Sequence, residues 1–138
     1  MNVRKGTQDD VESVFNIESR VFSDPWEKDQ ILDELSNETY VLSENDGIIG
    51  YMMIHRNYRE IQIANFAVDI PYQHKGFGKL FLSEFLSTVN KGNSVTLEVK
   101  QSNLNAIKLY IDTGFKEVGR RDEYYADGEA AIVFQLNT

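Results

Sequence analysis

Two glycines separated by one residue lie between basic side chains in the segment PYQHKGFGKLFL. Gly76 and Gly78 follow a β-rich run and precede an apolar run that predicts a helix. A glycine-rich turn between a strand and a helix directs backbone N–H groups and the positive end of the helix dipole towards an anion. Because His74, Lys75 and Lys79 add positive charge to the same segment, the pattern predicts a phosphate-binding turn.

Two well-known phosphate-binding spacings do not fit this segment. A dinucleotide-binding turn needs a third small residue, and Phe81 stands at that position. A P-loop needs a glycine five residues before Gly78 and Ser or Thr after Lys79, but the sequence has Gln73 and Leu80 there. A turn that uses glycine only for its backbone conformation is the alternative that the residues leave open.

Three polar side chains farther along the chain each have an ordinary structural explanation. Glu98 lies on a predicted strand, on the face opposite Leu97 and Val99, where a glutamate is usually solvated. Tyr110 falls on the apolar stripe of a predicted helix, which is typical of a core tyrosine. Asn103 precedes that helix and is a typical cap. Taken alone, these residues do not require a chemical role.

Composition limits the possible classes of function. The 138 residues fit one domain with a two-layer core, and the absence of cysteine excludes disulfide scaffolds, thiolate zinc sites and cysteine nucleophiles. The net charge of −8 argues against direct nucleic-acid binding and permits a basic partner. The charged N-terminus and the lack of a long apolar run predict a cytoplasmic protein with no membrane contact. The two histidines lack metal-ligand spacing, so we expect no metal site.

Hydrophobic periodicity predicts four helices, over residues 8–21, 25–36, 76–90 and 103–114. Thr7 and Asp10 form a capping-box pattern before the first helix. Asp24 is the predicted cap of the second helix, with Pro25 at its first position.

After a first strand near the N-terminus, strands are predicted over residues 39–43, 48–55, 60–68, 94–99, 116–124 and 130–136. Hairpin turns are predicted at Asn45-Asp46-Gly47 and at Ala126-Asp127-Gly128. The order of elements is a strand, two helices, three strands, a helix, a strand, a helix and a hairpin. It predicts a mixed α/β fold whose first half is mostly antiparallel.

The motif Gln73-x-x-Gly76-x-Gly78 after a strand resembles the pyrophosphate-binding motif of the GCN5-related N-acetyltransferase (GNAT) superfamily. Other segments are similar, in the same order, to its ribosomal-protein alanine N-acetyltransferase (RimI) type: Asn65 to Asp69, Leu97-Glu98-Val99, Ser102 to Phe115, and Arg121-x-x-Tyr124-Tyr125. The resemblance implies a single GNAT acetyltransferase domain over residues 1–138. It also implies a central, mostly antiparallel, twisted sheet of six to seven strands flanked by about four helices.

The resemblance further implies transfer of an acetyl group from acetyl-CoA, as co-substrate, to the N-terminal α-amino group of a protein. Glu98 would be the general base, acting through water, and Tyr110 the acid that protonates the coenzyme A thiolate. The residues implied to bind acetyl-CoA are Phe66, Ala67, Val68, Gln73, His74, Lys75, Gly76, Phe77, Gly78, Lys79 and Asn103.

In the resembling branch the acceptor enters between the first helical pair and the last hairpin, which here carry Trp26, Glu27, Tyr124, Tyr125 and Glu129. Acidic and aromatic residues suit the basic N-terminus of a small-subunit ribosomal protein, and they also suit a polyamine. The chain departs from the branch in a shifted Pro71 and in Ala130, which replaces a common Asp and bears on acceptor recognition. Three functions therefore stay open: an N-terminal protein acetyltransferase, a small-amine or polyamine acetyltransferase, and a non-catalytic acetyl-CoA-binding module.

Overall fold

The computed structural model describes residues 1–45 and 47–138, and within them seven strands and four α-helices follow one another in the predicted order. The strands are β1 (Asn2–Lys5), β2 (Thr39–Glu44), β3 (Gly47–Asn57), β4 (Glu60–Val68), β5 (Ser94–Lys100), β6 (Lys116–Arg121) and β7 (Ala131–Asn137). The helices are α1 (Val11–Val21), α2 (Lys28–Ser36), α3 (Phe77–Leu86) and α4 (Leu104–Asp112). Short 3-10 helices, Gln8–Asp10 and Ile70–Tyr72, lie ahead of α1 and α3.

The strands described form one sheet in the order β1-β2-β3-β4-β5-β7-β6. β1 pairs antiparallel with β2, β2 with β3, and β7 with both β5 and β6. β4 and β5 are parallel, from Glu60 opposite Ser94 to Ile63 opposite Leu97. The predicted mixed α/β class, with a mostly antiparallel sheet and four helices, is confirmed. None of the helices in the described residues has the length and apolar character that crossing a bilayer requires.

The chain divides into two compact units, and the prediction of one domain stays a prediction. Unit 1 comprises Met1–His55 and Ala64–Leu82, and unit 2 comprises Arg56–Ile63 and Ser83–Thr138. The core of unit 1 contains eight buried side chains: Val14, Ile17, Ile31, Leu35, Val41, Tyr51, Met53 and Ala67. In unit 2, alternate residues of β5 are buried, which leaves Glu98 and Lys100 on the opposite face of the strand.

The predicted capping box before α1 is present. The N–H of Thr7 donates to the Asp10 carboxylate at 2.9 Å, and the Arg4 guanidinium binds both oxygens of the same carboxylate at 2.8 Å. The first predicted helical turn is a 3-10 helix, after which α1 begins at Val11. These bonds fix the start of α1, which carries a buried carboxylate described below.

The predicted start of α2 is wrong. The helix begins at Lys28 rather than at Pro25, and Glu27, not Asp24, is its N-cap. The N–H of Glu27 donates to the side-chain oxygen of Gln30 at 3.0 Å, which satisfies a backbone donor at the helix start. Asp24 and Glu27 are candidate caps three residues apart in the sequence. The helix begins after Glu27 because Glu27 and Gln30 form a capping box.

The predicted end of α3 is also wrong, because the helix ends at Leu86 and not at Asn90. The Ser87 hydroxyl donates to the Glu84 carbonyl at 2.6 Å, and the Thr88 hydroxyl donates to the Phe85 carbonyl at 2.7 Å. Hydroxyl groups that bond nearby carbonyls compete with the next helical hydrogen bonds. The helix therefore ends although the apolar stripe continues to Val89, and the stripe alone does not mark the last helical turn.

The last hairpin has a wider connection than predicted, since β6 ends at Arg121 instead of residue 124. The N–H groups of Tyr124 and Tyr125 both donate to the Glu129 carbonyl, at 3.0 and 3.1 Å. The predicted turn at residues 126–128 is present: the N–H of Gly128, whose φ is +86°, bonds the Tyr125 carbonyl at 2.9 Å. The other predicted hairpin turn includes Asp46, which lies outside the described residues.

Candidate active site

The turn between β4 and α3, in unit 1, has the backbone of an anion-binding site. His74 and Gly76 have φ values of +62° and +88°. The N–H of Leu80 bonds the Gly76 carbonyl at 3.1 Å, which marks the first bond of α3. The N–H groups of the preceding helical residues, 77–79, have no intrahelical acceptor because they belong to the first turn. Alternating positive and negative φ values beside a helix start give a concave set of donors that suits phosphate.

The space around this turn is compatible with a bound pyrophosphate. A Cβ added to Gly76 would meet no atom within 4 Å, so the glycine is needed for its positive φ, and the side facing its missing Cβ is open. Lys75 and Lys79 are exposed at the same turn. The side chain of Gln73 has a different task, because its Nε2 donates to the Val68 carbonyl at 2.8 Å and ties the turn to the end of β4.

The side chains of the neighbouring predicted residues are packing groups. The Phe66 ring lies edge-on to Phe81, with centroids 5.6 Å apart, and Ala67 belongs to the buried core of unit 1. The Phe77 ring lies edge-on to Tyr72 at 6.1 Å. A contact of these residues with acetyl-CoA would therefore use their backbone groups.

Glu98, the predicted base in unit 2, forms an ion pair that the sequence analysis did not predict. Nε of Arg121 on β6 lies 2.9 Å from Oε1 of Glu98 on β5. The Glu98 side chain is 18% exposed, whereas that of Arg121 is 59% exposed. The Arg121 guanidinium also lies over the Tyr124 ring, 5.5 Å from its centroid. The carboxylate thus has a cationic partner that is itself open to solvent.

Two of the predicted acceptor-binding residues, Tyr124 and Tyr125, lie edge to face with centroids 5.2 Å apart. The Lys100 ammonium lies 5.2 Å from the centroid of the Tyr125 ring and pairs with Asp127 at 2.7 Å. Burial, followed by the negative charge of Glu98, raises the pKa of Tyr125 to about 12. The predicted base and the predicted acceptor tyrosines of the hairpin therefore form one cluster in unit 2.

Tyr110 is both a core residue and a neighbour of this cluster. Its ring packs against Phe115 and Phe134, with centroids 5.7 and 6.1 Å apart, and only 7% of the residue is exposed. Burial raises the pKa of Tyr110, and the nearby Tyr125 hydroxyl raises it further. The Tyr110 hydroxyl is therefore protonated at neutral pH.

Asn103 and Glu129 both bond backbone groups near the start of α4. The Asn103 side chain accepts a hydrogen bond from the N–H of Ala106 at 3.2 Å, which confirms its role as a cap. The Glu129 carboxylate accepts one from the N–H of Ser102 at 3.1 Å.

An open groove of about 510 Å³ lies beside Glu129. It is lined by Gln101, Arg120, Asp122, Glu123, Asp127, Gly128, Glu129 and Ala130. Four of its eight lining residues are acidic, which suits a cationic segment.

Trp26, the predicted acceptor-binding residue of unit 1, is positioned by a buried carboxylate. Its N–H donates to Glu18 at 3.0 Å, and the Asn65 amide donates to the same carboxylate at 2.7 Å. Glu18 is 1% exposed and also accepts a hydrogen bond from the hydroxyl of the fully buried Tyr51. Glu18 was not predicted from the sequence, although a glutamate beside Ile17 on the apolar stripe of α1 was a visible signal.

Comparisons with known proteins identify the family. A family model described as an acetyltransferase (GNAT) domain matches residues 6–136. The chain belongs to the GNAT acetyltransferase family.

Among this GNAT chain's relatives is the [ribosomal protein bS18]-alanine N-acetyltransferase of Escherichia coli K12, 32% identical over 92% of the chain and 90% of the relative. The N-alpha-acetyltransferase RimI of Mycobacterium tuberculosis is 34% identical over 86% of the chain and 80% of its own length. The crystal structure of the E. coli ribosomal-protein-S18-alanine N-acetyltransferase superposes with a TM-score of 0.90 at 29% identity, over 98% of the chain and 92% of that structure.

GNAT acetyltransferases use acetyl-CoA. In this GNAT chain the structure places the glycine turn and its lysines together in unit 1, and Glu98, Tyr110 and the hairpin tyrosines together in unit 2. The sequence did not predict Arg121 as the partner of Glu98, because Arg121 was recognised only as part of the motif Arg121-x-x-Tyr124-Tyr125. In the part of the chain that the structure describes, no group of three or more metal-ligating side chains is present.

Proposed function

We propose that this GNAT protein transfers the acetyl group of acetyl-CoA to the N-terminal α-amino group of a protein, specifically an alanine at the basic N-terminus of a small-subunit ribosomal protein. The observation that carries the proposal is the similarity to N-terminal alanine acetyltransferases over nearly the whole chain, at 32% identity and 92% coverage in one case. The hairpin tyrosines and the acidic groove in unit 2 support it, because they suit a cationic peptide.

In the proposed binding of acetyl-CoA, the turn before α3 holds the pyrophosphate. The N–H groups of residues 77–79 donate to phosphate oxygens, and Lys75 and Lys79 supply positive charge. Gly76 allows the phosphates to approach the backbone, and Gln73 keeps the turn attached to β4. Backbone groups of Phe66 to Val68 and the Asn103 side chain are assigned to the pantetheine arm.

In the proposed reaction, Glu98 takes a proton from the acceptor ammonium through water, and the neutral amine attacks the thioester carbon. The new N–C bond forms, the C–S bond breaks, and Tyr110 gives its proton to the departing sulfur. The proton on Glu98 then passes to solvent, and the second proton lost by the acylated nitrogen passes through water to Tyr110 and restores its hydroxyl. The position of Tyr110 supports this role, because Tyr110 neighbours Tyr125 in the cluster that contains Glu98.

The proposal is tested with the purified chain, acetyl-CoA and a peptide that begins with alanine and continues with basic residues. Mass spectrometry with fragmentation locates the added acetyl group. We expect it on the α-amino group, and we expect no product from the same peptide with a blocked N-terminus and free lysine side chains.

Two variants and one further acceptor complete the test. Glu98→Gln should lower kcat by about 10²–10⁴-fold, the usual contribution of a general base. Lys116→Gln, which removes an exposed charge on β6, is the control and should behave as wild type. Acetylation of spermidine in place of the peptide would overturn the proposed acceptor, and acetylation of lysine side chains alone would overturn the N-terminal assignment.

A further inference from the structure

The Glu98 carboxylate is paired with a cation before any acceptor arrives, and this has a consequence for acceptor binding. Its partner, Arg121, lies on another strand of unit 2 and approaches Oε1 at 2.9 Å. A base that must accept a proton from an ammonium group is thereby already engaged by a guanidinium. The inference that follows rests on the proposed role of Glu98 as the base.

The register of the sheet explains how the two side chains meet. Glu98 lies opposite Val133 of β7, and Val133 in turn lies opposite Gly119 of β6. Arg121 is two residues beyond Gly119 and therefore points to the same face as Glu98. Because Gly119 has no side chain, the position on β6 level with Glu98 is empty, and Arg121 reaches the carboxylate across β7.

The pair is asymmetric in exposure. The carboxylate of Glu98 is mostly covered, with 18% of the side chain exposed, but 59% of Arg121 is exposed. An ion pair with an exposed member contributes only about 0.2–1 kcal/mol, so a cation of similar geometry can replace the guanidinium at little cost. The Tyr124 ring, 5.5 Å from the guanidinium, offers the displaced side chain a second contact.

We propose that Arg121 is a positioning residue that occupies the place beside Glu98 of the acceptor ammonium and of the water that relays its proton, and that Arg121 is displaced when the acceptor binds. An α-amino group with a pKa of about 8 arrives mostly as an ammonium at neutral pH. The exchange replaces one cation beside Glu98 by another, so the carboxylate faces a positive charge in both states. Arg121 thereby holds Glu98 in its orientation and competes with the acceptor and its relay water for the same oxygen atoms.

The test compares KM and kcat of four proteins: wild type, Arg121→Gln, Arg121→Lys and the control Lys116→Gln. Removing the competing guanidinium should lower KM for the peptide about 1.4- to fivefold, the range expected for a partly exposed ion pair. Arg121→Lys restores the cation and should return KM towards the wild-type value. Guanidinium chloride at millimolar concentration should raise the KM of Arg121→Gln for the peptide, relative to sodium chloride at the same concentration. It should leave the KM of wild type unchanged.

A double variant shows whether the change in KM caused by Arg121→Gln depends on the Glu98 carboxylate. In a Glu98→Gln background there is no carboxylate to compete for, so Arg121→Gln should no longer change KM. A KM that is unchanged or raised in Arg121→Gln, with kcat alone reduced, would overturn the inference and leave Arg121 a purely structural residue.

The outcome for wild type separates this inference from the proposed function. If wild type acetylates spermidine and not the peptide, the proposed acceptor is wrong. The same KM comparison is then made with spermidine, which also presents an ammonium, and it supports or overturns the role of Arg121. If wild type acetylates neither amine, both proposals fail.

Discussion

Replacing Tyr110 by Phe should abolish most of the activity while leaving the fold nearly as stable. The variant keeps the ring that packs on Phe115 and Phe134 and removes only the hydroxyl. No hydrogen bond joins that hydroxyl to another residue in the part of the chain that the structure describes, so unfolding should change by less than about 1 kcal/mol. Loss of a general acid lowers kcat by about 10²–10⁴-fold, which corresponds to about 3–5 kcal/mol of barrier.

Tyr51→Phe is the matched control, because it also removes one hydroxyl from a buried tyrosine. The Tyr51 hydroxyl donates to the Glu18 carboxylate, whose remaining partners are Asn65 and the N–H of Trp26. Burial and the adjacent Glu18 raise the pKa of Tyr51, which keeps this donor protonated. Taking one donor from a buried carboxylate should destabilise the fold by about 1–3 kcal/mol.

Urea unfolding and steady-state kinetics at saturating substrate measure the two effects on the same preparations. The expected result is a crossed pattern: Tyr110→Phe loses kcat but little stability, and Tyr51→Phe loses stability but little kcat. If Tyr110→Phe retains kcat within about threefold of wild type, Tyr110 is a packing residue and another group must protonate the thiolate.

Other predictions address the turn before α3 and the start of α1. Gly76→Ala should weaken coenzyme A binding measured by calorimetry, because alanine at a φ of +88° is strained by about 1 kcal/mol and the turn would shift. Replacing Lys75 and Lys79 by Gln should also weaken that binding and should flatten its dependence on salt. The Arg4 guanidinium holds the pKa of Asp10 below its ordinary value, so this pair stabilises the fold above about pH 4 and loses its effect as the pH falls through the lowered pKa. Asp10→Asn should therefore be less stable at pH 7 in urea and should lose less stability on acidification than wild type.

Features that depend on neighbouring residues could be predicted from the sequence. The order of elements, the glycine turn before α3, the Asn103 cap and the alternating burial of β5 all follow from spacings of a few residues. Such local patterns set backbone conformation directly, which is why Gly76 with its positive φ and the buried Val95 and Leu97 match expectation.

The features that were missed depend on competition or on contacts between distant segments. The start of α2 depends on which of two nearby caps finds a partner, and periodicity does not rank Asp24 against Glu27. The pairing of Arg121 with Glu98 depends on the register of both strands with β7, which no local pattern specifies. The same is true of Glu18, whose donors come from three separate segments of unit 1.

The distribution of charge explains why an acidic chain needs an arginine beside its proposed base. A chain of net charge −8 that takes an anionic donor must place cations locally, as Lys75 and Lys79 do at the turn before α3. Residues 122–130 carry four carboxylates and no basic residue, which favours a cationic acceptor. In the absence of an acceptor, Arg121 supplies the cation with which Glu98 pairs, and its exposure allows the acceptor ammonium to take over that task.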